Sequence, residues 1–121
     1  MSAAPWGLNA TSPLIEFTQV ASNIHGIGAD AAVNVAGSWC LWSGDVTHDG
    51  EVMYTGTNND RDPILVAIGG VLPTNTAGGY STADINLDGV VKYVGPGNDR
   101  DPILVNVGGT LPTATRQAQL P

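Results

Sequence analysis

One stretch of sequence occurs twice in this chain and decides its fold. Residues 45–74 read DVTHDGEVMYTGTNNDRDPILVAIGGVLPT, and residues 84–113 read DINLDGVVKYVGPGNDRDPILVNVGGTLPT. The copies are offset by 39 residues, and 19 of their 30 positions are identical. Two copies are too few for a solenoid, which needs about three or more. We therefore expect a pseudo-twofold pair in which each repeat covers the apolar face of the other.

Each repeat is predicted to contain a loop, a short strand, a second loop and a helix. Val52 and Tyr54 alternate as in a strand, and the second repeat keeps this spacing. The segment 59–70 begins with Asn and Asp, which can cap a helix, and ends with two glycines, which can stop one. Residues 75–82 are expected to form a short glycine-rich connection between the repeats.

The N-terminal part of the chain differs from the repeats. Two β-type segments, 13–21 and 31–37, are separated by a glycine-rich stretch. They are expected to form either a hairpin on the repeat pair or an arm that completes a neighbouring molecule. The predicted division is a β-type segment at 1–40 and a tandem repeat module at 41–121.

Charge is scarce, and it is concentrated in the repeats. The 121 residues include eleven acidic and four basic side chains, for a net charge of −7, and nine of the acids lie in residues 45–62 and 84–101. So few basic residues leave no surface for neutralising phosphates, which argues against nucleic-acid binding. No apolar run is long enough for a transmembrane helix. No serine, cysteine or histidine stands in a recognisable catalytic motif. We therefore predict that the protein is not an enzyme and has no catalytic residues.

The acidic residues have the spacing of calcium loops. If Asp45 and Asp84 are loop position 1, oxygen-bearing side chains stand at positions 1, 3 and 5, a glycine at 6 and a β-branched residue at 8. Calcium takes six to eight oxygens at about 2.3–2.6 Å, and a tight loop presents alternate residues to the ion, with a backbone carbonyl at position 7. The candidate ligands are Asp45, Thr47, Asp49 and Glu51 in the first loop, and Asp84, Asn86, Asp88 and Val90 in the second.

The acid that closes an ordinary twelve-residue loop is absent, because position 12 is a glycine in both repeats. The repeated Asn-Asp-Arg-Asp-Pro instead predicts a loop lengthened by about six residues. In an ordinary loop the closing acid at position 12 follows a capping residue at position 9. Asp62 and Asp101 are favoured as closing ligands because they follow Asn59 and Asn98 by the same three residues. Asp60 and Asp99 could ligate instead, or could cap the helix and pair with arginine.

Two calcium ions are therefore the expected cofactors. Magnesium fits less well because it prefers water ligands and a rigid octahedron. Zinc fits poorly because Cys40, His25 and His48 have no ligand spacing.

The paired loops resemble those of a known family. Asp45-Val-Thr-His-Asp-Gly-Glu-Val and Asp84-Ile-Asn-Leu-Asp-Gly-Val-Val, each followed by a predicted helix, are similar to the duplicated calcium loops of type I dockerins. Leu-Trp-Ser-Gly-Asp, the repeated Asn-Asp-Arg-Asp-Pro-Ile-Leu and Gly-Gly-x-Leu-Pro-Thr resemble a dockerin-like C-terminal module of large secreted and cell-surface bacterial proteins. The resemblance covers residues 40–121. It implies a mainly α-helical and loop fold of calcium loop–helix repeats, calcium binding, an extracellular or cell-surface location and an interaction role.

Two functions are consistent with these features. The first is an extracellular calcium-binding structural module that anchors or displays a surface protein through protein–protein contacts. The alternative is a self-assembling subunit of a calcium-stabilised extracellular filament or surface layer, whose N-terminal arm adds a strand to a neighbour. A calcium-dependent glycan site with tryptophans as stacking platforms is a further possibility.

Overall fold

Strands outnumber helices in the part of the chain that the computed structural model describes, residues 32–117. The elements are β1 (Ala32–Val35), β2 (Ser38–Leu41), β3 (Glu51–Met53), α1 (Arg61–Ala67), β4 (Thr76–Gly78), β5 (Val90–Lys92), α2 (Arg100–Asn106) and β6 (Thr115–Gln117). The predicted β-type segment 13–21 lies outside the described residues. None of the helices between residues 32 and 117 is long and apolar enough to cross a membrane.

The expected mainly α-helical and loop, dockerin-like fold is wrong. Within residues 32–117 the two helices have seven residues each, whereas six strands form three two-stranded antiparallel sheets, so the fold is mainly β. The helices are short because the backbone turns left-handed directly after them: Gly69 and Gly70 have φ of 105° and 76°. Glycine adopts this conformation without steric cost and ends a helix there. Residues 75–82, predicted as a connection, contain β4, and the segment after the second repeat contains β6.

Each repeat is followed by a strand that pairs with the other repeat. β4 lies just after the first repeat and pairs with β5 at the start of the second. β6 lies just after the second repeat and pairs with β3 at the start of the first. The helices cross over in the same way, because α1 packs against β5 and α2 packs against β3. The predicted pseudo-twofold pair is therefore interlocked, and neither repeat completes a sheet alone.

The core lies where the two repeats meet. Ile64 and Ile103, at equivalent positions of the helices, are both fully buried. Burial of such a side chain stabilises the fold by about 1.5–3 kcal/mol. The other large apolar residues of this core are Val46, Val52, Ile68, Val91 and Val107.

A hairpin precedes the repeats. β1 and β2 pair antiparallel through a two-residue turn at Ala36 and Gly37, which have φ of 51° and 91°. Positive φ at both turn positions matches the right-handed twist of the flanking strands. The predicted β-type segment 31–37 is thus a strand at Ala32–Val35, but its partner is the unpredicted strand Ser38–Leu41, which extends one residue past the predicted boundary at residue 40.

Candidate metal site

The first acid of each loop is hydrogen-bonded to the backbone of its own loop. Oδ1 of Asp45 accepts from the N–H of Asp49 at 3.2 Å, and Oδ2 accepts from the N–H of Gly50 at 3.0 Å. Asp84 accepts the equivalent two bonds in the second loop, at 3.1 and 2.8 Å. Both loops therefore wrap around the carboxylate at position 1 and bring position 5 back to it.

The acids at position 5 are exposed, and each turns one oxygen toward its own loop. Oδ1 of Asp49 accepts from the N–H of Glu51 at 3.0 Å, and Oδ1 of Asp88 accepts from the N–H of Val90 at 2.9 Å. A carboxylate has about four lone-pair sites, so one such bond leaves acceptor capacity for a ligand.

The residues at position 4 set the shape of the turn. His48 and Leu87 both have φ of 60°, a left-handed conformation that is costly for residues with a Cβ. The glycines at position 6, Gly50 and Gly89, follow with φ of 90° and 85°. The glycines were evident from the sequence, and histidine is enriched at left-handed positions, whereas nothing in the residue type of Leu87 signalled one.

The side chains at position 3 differ between the loops. Oγ1 of Thr47 donates to Oδ1 of Asp60 at 3.2 Å. In the second loop, Oδ1 of Asn86 accepts from the N–H of Asp88 at 2.9 Å, and its Nδ2 donates to the carbonyl of Gly97 at 2.9 Å. The two candidate sites are therefore alike in backbone but not in this side chain.

Position 7 contributes to the strands that follow the loops. Glu51 is the first residue of β3 and Val90 is the first residue of β5. Oε1 of Glu51 accepts from Nε2 of Gln117 in β6 at 3.1 Å. The carboxylate of Glu51 is thus engaged by β6, which leaves the backbone carbonyl as the group predicted to bind metal at this position.

Asp60 and Asp99 are 0% exposed and bond to the loop backbone. Oδ1 of Asp60 accepts from the N–H groups of Val46 and Thr47 at 2.7 and 3.0 Å, and Oδ2 accepts from the N–H of Met53 at 2.7 Å. Asp99 accepts the equivalent three bonds 39 residues further on, at 2.8, 3.3 and 2.8 Å. Burial raises the pKa of Asp60 above its ordinary value of 3.8, and the hydrogen bonds from Met53, Thr47 and Val46 oppose this effect.

The helix caps come from Asn59 and Asn98. Oδ1 of Asn59 accepts from the N–H of Asp62 at 3.0 Å, and its Nδ2 donates to Oδ2 of Asp62 at 2.9 Å. Asn98 makes the same pair of bonds with Asp101, at 2.9 and 2.8 Å. The prediction that Asn59 can cap α1 is confirmed. The alternative in which Asp60 caps it is wrong, because the side chain of Asp60 makes no cap bond and accepts bonds from the loop backbone instead.

Asp62 and Asp101, the favoured closing ligands, lie at the surface beside arginines. Their side chains are 62% and 60% exposed, and each lies 3.6 Å from an Nη2 atom, of Arg61 and Arg100 respectively. The arginines therefore pair with Asp62 and Asp101, whereas the alternative in which Asp60 and Asp99 pair with them is wrong. Both arginines also stack on a tyrosine of the same repeat, at 5.3 and 5.2 Å from the ring centroid.

Two open cavities border the loops. The first is lined by Thr47 and Asp62 and by residues of the lengthened loop between them. The second is lined by Asp84 and Asp88, together with the exposed side chains of Tyr80 and Leu87. The structure thus places Thr47 and the favoured closing ligand Asp62 of the first site at one cavity, and positions 1 and 5 of the second site at another.

The donor set fits calcium better than zinc. Among residues 32–117, no three Asp, Glu, His or Cys side chains come together in a group that could hold a metal ion. An ion in either loop would need two carboxylates supplemented by a hydroxyl or amide oxygen, backbone carbonyls and water. Calcium accepts all of these, whereas zinc requires nitrogen and sulfur ligands or a closer carboxylate set. The complete ligand set stays a prediction.

Two contributions of the Asn-Asp-Arg-Asp-Pro segment were not predicted from the sequence. These are the bonding of Asp60 and Asp99 to the loop backbone and the stacking of arginine on tyrosine. The identity of this segment in both repeats signalled its importance. It did not signal which oxygen faces which donor. Comparison of the chain with protein-family models, curated proteins and solved structures found no match.

Proposed function

We propose that the chain is a calcium-binding module in which each repeat binds one calcium ion in the loop that begins at Asp45 or Asp84. The observation that supports this most directly is the pair of bonds from the backbone N–H groups of positions 5 and 6 to the carboxylate of position 1, present in both loops. These bonds gather oxygen-bearing residues at the same turn twice in one chain. A plain surface turn requires no such repetition.

Charge supports calcium as the ligand. Residues 45–62 carry −4 and residues 84–101 carry −2, which is nearly all of the net charge of −7. Carboxylates held in one loop repel each other, and a divalent cation converts this repulsion into attraction. Two calcium ions would bring the net charge of the chain to −3.

The proposed role is interaction rather than catalysis, in an extracellular or cell-surface setting where calcium is abundant. The similarity of the loops to those of type I dockerins supports this role, although it does not extend to the fold. Val66 on α1 and Val105 on α2 occupy equivalent positions of the two repeats, and both are exposed. A protein partner could contact these apolar side chains. We propose a protein partner, with no nucleic-acid partner and no enzyme activity.

Isothermal titration of the metal-free chain with calcium tests the proposal. We expect binding of two ions, and we expect the double variant Asp45→Ala with Asp84→Ala to lose most of it. The matched control is Glu16→Ala with Asp30→Ala, which removes the same charge outside the repeats. Absence of calcium binding by the wild-type chain would refute the proposal. An equal loss of calcium binding in both double variants would show that binding depends on net charge and not on the two loops.

A specific observation favours self-assembly as the second candidate. Among residues 32–117, no third strand pairs with the sheet of β1 and β2, and Val35 and Leu41 on it are exposed. A two-stranded hairpin is marginally stable and has open edges to which a further strand can add. Sedimentation velocity in calcium over a range of concentrations tests this candidate. Assembly that Val35→Lys abolishes would support it, and a monomer at all concentrations would refute it.

A further inference from the structure

We propose that Asp60 and Asp99 are positioning residues that hold the two loops in shape before any metal binds, and that they are not calcium ligands. Their effect on loop shape is independent of the proposed function. Their effect on calcium affinity rests on the proposed function.

The bonding of Asp60 connects the two ends of its loop. Val46 and Thr47 are loop positions 2 and 3, whereas Met53 is position 9, and all three donate a backbone N–H to this one carboxylate. The backbone adds a fourth connection, because the N–H of Asp60 donates to the carbonyl of Met53 at 2.9 Å. One residue thus ties the entry of the loop to the strand that leaves it.

The second repeat reproduces this arrangement. Asp99 accepts from Ile85, Asn86 and Lys92, and its own N–H donates to the carbonyl of Lys92 at 2.9 Å. The position 3 side chains differ between the repeats, yet the three backbone bonds to the aspartate are kept. The arrangement therefore belongs to the backbone of the repeat rather than to one side chain.

The acceptors of Asp60 are directed inward, away from any ligand in solvent. Its side chain is 0% exposed, and Oδ1 accepts from the hydroxyl of Thr47 as well as from two N–H groups. Hydrogen bonds to an ionised carboxylate are among the strong ones in proteins. An ordinary calcium loop is closed by an acid that binds the ion itself. Here the backbone bonds to Asp60 and Asp99 close the loop, so its shape does not depend on the ion.

The test is amide hydrogen exchange, measured by NMR on the full chain in excess chelator. We expect the amides of Val46, Thr47 and Met53 to be protected without calcium. Asp60→Asn should raise their exchange rates by at least about tenfold, because an amide presents only one acceptor oxygen to the three donors. The equivalent amides of the second loop should stay protected. The control Asp62→Asn, at an exposed carboxylate of the same segment, should leave all of them unchanged.

Calcium titration of the same variants separates positioning from ligation. Asp60→Asn should weaken calcium binding at the first site because the ion must then order the loop. If Asp60 were a ligand, Asp60→Asn would lose the same calcium affinity, but the amides of Val46, Thr47 and Met53 would stay protected in chelator. This result would overturn the inference.

Protection in the wild type that appears only on adding calcium would also overturn it, and this measurement decides the matter even if Asp60→Asn does not fold. A chain with protected loops that never binds calcium would support the inference and refute the proposed function.

Discussion

The backbone of Gly44 lies against the side chain of Ile103, which belongs to the other repeat. A Cβ built at position 44 would be 3.3 Å from Cγ1 of Ile103 and 3.4 Å from Cγ1 of Val52, and the φ of Gly44 is 107°. The chain thus enters the first loop by passing close to the core. A side chain at position 44 is disfavoured by both packing and backbone conformation.

Gly44→Ala is therefore expected to lower the free energy of unfolding by about 1–3 kcal/mol, because an added methyl group overpacks the core and is strained at positive φ. Urea denaturation measures the change. The control is Gly79→Ala, where φ is 103° but no atom lies within 4 Å of the added Cβ. Gly79→Ala should lower the free energy of unfolding only through backbone strain. An equal decrease for the two variants would show that contact with Ile103 and Val52 adds nothing at position 44.

Leu87 offers the opposite case, a residue whose replacement should stabilise the protein. Its side chain is 85% exposed and its φ is 60°. Asparagine tolerates the left-handed conformation better than leucine, so Leu87→Asn should raise the free energy of unfolding by about 0.5–1 kcal/mol. The control Leu111→Asn, at an exposed leucine without positive φ, should give no such gain. A gain of the same size there would show that replacing an exposed leucine with a polar residue, and not the backbone conformation, stabilises the protein.

Calcium removal should lower the melting temperature only modestly. A site with a Kd of about 10⁻⁴–10⁻³ M contributes about 0.4–1.4 kcal/mol at millimolar calcium through mass action. Differential scanning calorimetry in calcium and in chelator, at matched ionic strength, measures the difference. We expect Asp45→Ala with Asp84→Ala to melt at the same temperature in both solutions. Complete unfolding of the wild type in chelator would contradict loops that are held by Asp60 and Asp99.

The buried carboxylate of Asp60 should give the stability a distinctive pH dependence. Burial raises the pKa of Asp60 above its ordinary value of 3.8, so the folded chain binds this proton more tightly than the unfolded chain does. The resulting stability is fully present below pH 3.8 and is lost as the pH rises through the folded pKa. The free energy of unfolding of the wild type should therefore increase relative to that of Asp60→Asn as the pH falls. If the difference in free energy of unfolding between the wild type and Asp60→Asn did not change with pH, the three N–H bonds would fully offset the effect of burial on the pKa of Asp60.

The sequence predicted the features that depend on local pattern. The spacing of Asp45, Thr47 and Asp49, with glycine at position 6, indicated a tight loop, and the structure contains that loop in both repeats. Val52 and Val91 marked the strands that follow. The cap by Asn59 was also evident, because capping depends on residues only three positions apart.

The features that depend on distant parts of the chain were missed. β4 and β6 have the sequences Thr-Ala-Gly and Thr-Arg-Gln, which show no apolar alternation, and each is a strand only because the other repeat pairs with it. The role of Asp60 was equally hidden, since spacing does not distinguish an oxygen that faces a cation from one that faces buried N–H groups. The helical fold that the resemblance implied was wrong because the resemblance rested on loops and helix starts, not on strand partners.

The exchange of strands makes each repeat depend on the other for its sheets. A single repeat with its following strand has two strands and a partner for neither, so it could form these sheets only with a second copy. Because both copies lie in one chain, this pairing is intramolecular and does not depend on protein concentration. The copies differ at position 3, in Thr47 and Asn86, and the pairing still requires both.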